Sequence, residues 1–141
     1  MNKVFTTTKT ITFRETDAAG IMFFGNIFSI AHDVFEEFIC KAGYSYDDWF
    51  NQRDIIIPIR QTEAQFLSPF FPGKTYNVEV KVASIGNTSF KMHYRFFRND
   101  RTHSEVFMVH ALVNGKTKEK MQLPDIMKQR LAAYLENEVT P

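Results

Sequence analysis

Residues 16–43 read "TDAAGIMFFGNIFSIAHDVFEEFICKAG", and the second half of this stretch decides the fold. From Ile27 onward the apolar residues Ile27, Ile30, Ala31, Val34, Phe35, Phe38 and Ile39 recur at steps of three and four. Ser29, Asp33, Glu36, Glu37 and Lys41 fill much of the rest. That spacing is the stripe of an amphipathic helix. Asn26 is a good N-cap and Gly43 a good stop. A stripe this long needs an apolar surface to cover it, and the remaining sequence supplies strands.

Before the helix, residues 4–15 are Thr-rich and β-branched, with Phe5, Ile11 and Phe13 on one parity, and read as a strand. After it, "YSYDDWFNQ" (44–52) reads as a short helical turn. "IIIPIRQTEAQFL" (55–67) is extended, with a parity switch near Gln61 that marks a bulge. "SPFFPGK" (68–74) is a turn. "TYNVEVKVASI" (75–85) points Tyr76, Val78, Val80 and Val82 one way, and "SFKMHYRFF" (89–97) does the same with Phe90, Met92, Tyr94 and Phe96. Gly86-Asn87 between them suits a hairpin. "EVFMVHALV" (105–113) is apolar on both parities, as in a strand covered on both faces. Pro124 opens a short C-terminal helix ending near Glu136. The expected class is α+β: about five antiparallel strands curled around one long helix.

The 141 residues fit one domain over 1–141. At 44% hydrophobic, with 15 Phe, the chain is too apolar for disorder. A net charge of +1 argues against a nucleic-acid face, which needs clustered Lys and Arg. The nearest cluster, Arg95, Arg98 and Arg101, has Asp100 inside it and reads as a hairpin end. The single cysteine, Cys40, permits no internal disulfide and no Cys-rich zinc site. "MNKVFTTTKTITF" lacks the apolar core of a signal peptide, and no apolar run is long enough to span a membrane. The expected setting is the cytoplasm, with no membrane partner.

Asp17 stands just ahead of the helix start. An Asp is common where a strand gives way to a turn. It is also what an acid–base site places beside the unpaired N–H groups of a helix N-terminus. Both readings fit the residues alone.

The stretch "FRETDAAGIMFFGNIFSIAHDVFEEF" (13–38) resembles the signature of the hotdog-fold acyl-CoA thioesterases of the 4-hydroxybenzoyl-CoA thioesterase family. That signature is a T-D-x-x-G turn, an apolar pair, Asn, then the central helix. "IPIRQTEAQFLSPFFPGKTYNVEVKV" (57–82) and "GNTSF" (86–90) are similar to its later strands and turns, so the likeness runs from about residue 5 to 115. Within the family, "AAGIMFFGN" and "AHDVFEEF" look most like the 1,4-dihydroxy-2-naphthoyl-CoA hydrolases.

The resemblance implies a sheet wrapped round the central helix, dimers paired sheet edge to edge, often as tetramers, and active sites at the dimer interface. It implies an acyl-CoA or acyl-carrier-protein substrate and no separate cofactor, CoA being part of the substrate. Asp17 falls on the family's catalytic acid, as base or nucleophile. The backbone N–H groups of Phe24 and Gly25 fall at the thioester oxygen. Gly20 and Gly25 let chain and substrate approach closely. Asn26 either caps the helix or holds a water, and Phe23 either packs in the core or walls the acyl pocket. Thr88 and Ser89 match hydroxyls near the reacting water or the pantetheine arm. Gly86 and Asn87 stand where some relatives have basic residues. Arg60, Lys91 or the Arg95–Arg101 region are therefore the candidates for CoA phosphates.

Among the four histidines, His32 and Glu36 are one helical turn apart, but no third residue has metal-ligand spacing. They read as a packed or interface pair and no metal is expected. His93 and His103 read as exposed, and His110 as a satisfied core residue. Two other functions compete with thioester hydrolysis: a hydroxyacyl dehydratase using His32 and Glu36, and a non-catalytic acyl-CoA-binding module.

Overall fold

The computed structural model describes residues 2–136. The strands are β1 (Phe5–Thr10), β2 (Ile55–Ile56), β3 (Ile59–Phe66), β4 (Thr75–Ile85), β5 (Ser89–Arg98), β6 (Arg101–Ala111) and β7 (Val113–Asn114). The helices are α1 (Asn26–Lys41), α2 (Tyr46–Phe50) and α3 (Asp125–Ala132). Five strands form one antiparallel sheet in the order β1-β4-β5-β6-β3. The short β2 and β7 pair separately, an element the sequence reading missed.

The periodicities explain the layers. All seven apolar positions read from the α1 stripe are buried. They meet the inward parity of the sheet: Tyr76, Val78, Val80 and Val82 on β4, and Phe90, Met92, Tyr94 and Phe96 on β5. Removing this surface from water drives the helix onto the sheet. The expected bulge on β3 is present as a register shift between Ile59 and Gln61. Asn99 and Asp100 take positive φ at the β5–β6 hairpin, as a two-residue turn requires.

Three boundaries differ from the sequence reading. The first strand stops at Thr10, because the chain turns into a short 3-10 segment at Phe13–Glu15. The Glu15 carboxylate there accepts from the backbone N–H and the hydroxyl of Thr12. Phe13 is consequently 87% exposed rather than inward. Asn26 is the first residue of α1 and not its cap; Gly25 takes the cap position. The last helix ends at Ala132, after which Leu135 bridges to Val82.

β3 lies at the sheet's edge, nearly all of it exposed, with β6 as its one strand partner among the described residues. Ile59, Phe66 and the adjoining Leu67 are exposed large apolar residues. An uncovered edge of this kind is a template for pairing with another strand.

Candidate active site

The turn at residues 16–22 is built around Asp17. Its N–H donates to the Ile21 carbonyl (3.0 Å), and the Gly20 N–H donates back to the Asp17 carbonyl (3.0 Å). Gly20 has φ +79°, where a side chain would strain the backbone. Asp17 Oδ1 accepts the Ala19 N–H at 2.8 Å, which fixes the carboxylate over the turn. Among the described residues, no protein group bonds Oδ2. Asp17 is exposed on the protomer.

This turn is tied to the helix start through one acceptor. The Glu15 carbonyl receives the Phe23 N–H (2.9 Å) and the Asn26 side-chain amide (2.8 Å). Asn26 is thus a brace between the acid's turn and α1. The next carbonyls are used by the first helical turn, Phe23 O by the Asn26 N–H and Phe24 O by the Ile27 N–H. The N–H groups of Phe24 and Gly25 donate to no acceptor among the described residues. Two adjacent unpaired donors at a helix start favour an anion or a developing oxyanion.

Packing holds this loop. A Cβ on Gly25 would lie 2.7 Å from Phe23 Cε2, so the ring occupies the space that glycine leaves. The Phe23 and Phe24 rings pack at 4.8 Å, and Phe24 meets Phe66 edge-on at 6.2 Å. A groove of ≈ 280 Å³ beside them is lined by Met22, Phe24, Phe66, Leu67 and Phe70. Phe23 and Phe24 are exposed on the protomer, not core.

Arg60, Thr88 and Ser89 lie elsewhere. The Thr88 carbonyl accepts from Leu112, and Ser89, Arg60, Gly86 and Lys91 line a second depression of ≈ 280 Å³. Ser89 pairs with Ala111 and Ile59 with His110 at one end of the sheet, whereas Phe66 pairs with Ser104 near the other. Six residues of extended chain from Arg60 to Phe66 span roughly 20 Å. One protomer therefore assembles Asp17, Gly20, Phe23, Phe24, Gly25 and Asn26, and separately Arg60, Thr88 and Ser89.

The histidines depart from the sequence reading. His93 is half-buried, held between Glu136 and Glu105 and stacked on Phe107. His103 is buried and bonded to the Pro69 carbonyl at 2.9 Å. His110 is buried as expected, but its Nε2 has no hydrogen-bond partner among the described residues. Burial, with a smaller contribution from nearby His32, pushes its pKa down to about 3. His32 makes no bond to Glu36; its ring lies against Phe35 and Phe50. No group of three His, Cys, Asp or Glu among the described residues is placed to hold a metal. No helix among them is long and apolar enough to cross a membrane.

The model of the thioesterase-like superfamily matches residues 11–131. The chain belongs to that superfamily. This thioesterase is 31% identical over 122 residues to a 1,4-dihydroxy-2-naphthoyl-CoA hydrolase of Prochlorococcus marinus, an alignment covering 82% of this chain and 79% of that protein. Its fold matches a 1,4-dihydroxy-2-naphthoyl-CoA thioesterase from Synechocystis with a TM-score of 0.84 at 17% identity, covering 92% and 96% of the two chains. It also matches a Staphylococcus aureus protein solved in complex with CoA, with a TM-score of 0.86 at 19% identity, covering 100% and 91%. The chain is a thioester hydrolase on a hotdog fold.

Proposed function

We propose that this thioesterase hydrolyses an aromatic acyl-CoA of the 1,4-dihydroxy-2-naphthoyl type, with Asp17 as the catalytic acid–base group. The observation that carries the reading is the pair of unpaired N–H groups on Phe24 and Gly25, braced through Glu15 to the turn that presents Asp17 Oδ2. The thioester oxygen takes the two N–H groups. Asp17 accepts a proton from water as the water oxygen bonds to the carbonyl carbon. The charge that develops on oxygen is held by the two donors. Collapse breaks the C–S bond and expels CoA, which takes up the proton. Direct attack by the Asp17 carboxylate, through a mixed anhydride, uses the same donors.

The substrate class is supported by the named relative. The exposed β3 edge supports a homodimer as the working unit. Antiparallel pairing of two β3 strands about a two-fold axis would reverse the partner's sheet. The partner's Arg60, Thr88 and Ser89 end would then stand beside Asp17 and Phe24. Hydroxyls would reach the pantetheine arm, and Arg60 and Lys91 the CoA phosphates. Two such dimers make a tetramer, and the lone Cys40 suits a reducing cytoplasm.

The test is thiol release from naphthoyl, benzoyl, phenylacetyl and alkyl acyl-CoAs by the wild type and Asp17→Asn. Turnover should fall roughly 100- to 10,000-fold in the variant, with thermal unfolding unchanged. Turnover that survives the substitution would reduce Asp17 to a turn residue.

A further inference from the structure

Two imidazoles are left over by the chemistry above. His110 is 1% exposed, its ring sandwiched between Phe35 (4.4 Å, 16° between planes) and Phe90 (4.9 Å, 9°). His32 sits across from it on α1. Both line a cavity of ≈ 330 Å³ whose other walls include Phe35, Trp49, Phe50 and Ile57. Among the described residues, His110 Nε2 is buried with no hydrogen-bond partner, and His32 is half-buried at the cavity wall. A buried polar atom without a partner is rare in folded proteins and calls for an explanation.

His32 borders a second space as well. It is a wall of a depression between α1 and β3, with Phe28, Ser29, Asp33, Ile59 and Thr62. From Gly25 to His32 the helix rises roughly 10 Å. That is the length scale of a two-ring aromatic acyl group whose carbonyl rests on the Phe24 and Gly25 N–H groups. We propose that the His32–His110 cavity is the acyl pocket and that its two imidazoles recognise a hydroxyl on an aromatic ring. This rests on the thioesterase reading and names the side chains that select its substrate.

The chemistry of the walls narrows the ligand. Burial keeps His110 neutral at ordinary pH, so it presents one donor and one acceptor. A hydroxyl satisfies either, because it donates and accepts. A carboxylate would enter a cavity with no Lys or Arg in its wall, whose polar side chains are His32, Gln52 and His110. An alkyl chain would leave the imidazole atoms unpaired. The flat aromatic walls favour a ring as the carrier of the hydroxyl.

The experiment measures kcat/KM for 1,4-dihydroxy-2-naphthoyl-CoA against 2-naphthoyl-CoA, in the wild type and in His110→Phe, which keeps the ring stack. The wild type should prefer the hydroxylated substrate by roughly 10- to 100-fold, and the ratio should collapse toward one in the variant. Equal losses on both substrates, or an unchanged ratio, would overturn the proposal. A second measurement is binding of 1-naphthol against 1-methylnaphthalene, read by the emission of Trp49, the single tryptophan and part of the cavity wall. Tighter binding of the naphthol, lost in His110→Phe, supports the pocket even if no acyl-CoA is turned over. In that event the thioesterase reading fails alone. Equal binding of the two probes overturns the pocket whatever the turnover.

Discussion

His110 should make the protein acid-labile over a pH range that its surroundings define. In the unfolded chain an imidazole takes up its proton near pH ~6.5. In the fold its pKa is pushed down to about 3, because burial between Phe35 and Phe90 disfavours the cation and His32 adds repulsion. Above the unfolded value both states are neutral and the residue's contribution to stability is intact. As the pH falls from that value toward the folded one, the unfolded state binds a proton that the folded state refuses, so stability is lost. The linkage integral is roughly 2 kcal/mol lost by about pH 5, with a ceiling near 5 kcal/mol below the folded value. The assay is urea unfolding at about pH 7.5 and about pH 5, at one protein concentration, for the wild type and His110→Phe. The phenyl ring keeps the stack and removes the titration. Any change it makes in stability at neutral pH cancels in the difference between the two pH values, as do the other histidines and the carboxylates. The wild type should lose about 2 kcal/mol more than the variant. Equal losses would mean that His110 accepts its proton in the folded protein, and the account of its burial would be wrong.

Two further substitutions test the loop and the core. Gly25 has φ −65°, which alanine adopts freely, so Gly25→Ala should leave stability equal or raise it by up to ~1 kcal/mol. Its Cβ must displace the Phe23 ring now 2.7 Å away. Thiol release should then fall about tenfold if that ring positions the donors. Full activity would separate the ring from the site. Tyr94 is fully buried with no partner for its hydroxyl among the described residues, and burial holds its phenol protonated. Tyr94→Phe should be neutral or stabilise by up to ~1 kcal/mol in thermal unfolding, whereas a loss above that would reveal a bond the hydroxyl makes.

The sheet and its helix were legible because each obeys a period. The α1 stripe repeats every 3–4 residues, and β4 and β5 alternate from Tyr76 to Val82 and from Phe90 to Phe96, so burial there could be assigned residue by residue. The ends were harder, because they depend on single hydrogen bonds. No periodicity announces that the Glu15 carboxylate folds back on Thr12 and ends the first extended run early. Nor does it announce that Asn26 turns its amide to the Glu15 carbonyl instead of capping α1. The histidines failed for a related reason. Parity placed His93 on the outer face of β5, but only the fold brings Glu105 and Glu136 to it. His110 read as a core residue, and whether a core imidazole finds a partner depends on neighbours far away in sequence.

The candidate site was half legible on the same grounds. Asp17, Gly20, Phe23, Phe24, Gly25 and Asn26 lie within ten residues, so a local motif sufficed to group them. One protomer holds Arg60, Thr88 and Ser89 at the far end of β3 from Phe66, so no local motif could group them with Asp17. The edge itself carries the clue. "IRQTEAQF" buries neither parity, which makes little sense in a finished sheet, yet it is flanked by exposed Ile59, Phe66 and Leu67. A strand that is polar along its length and apolar at its ends can pair with its own copy, because antiparallel pairing sets Ile59 of one strand near Phe66 of the other. Such pairing would cover the apolar residues and satisfy the unpaired backbone of both edges. It would also roof the depression between α1 and β3 that His32 lines. Closure of the edge and completion of the site are then one event, and separated protomers should neither bind nor turn over substrate.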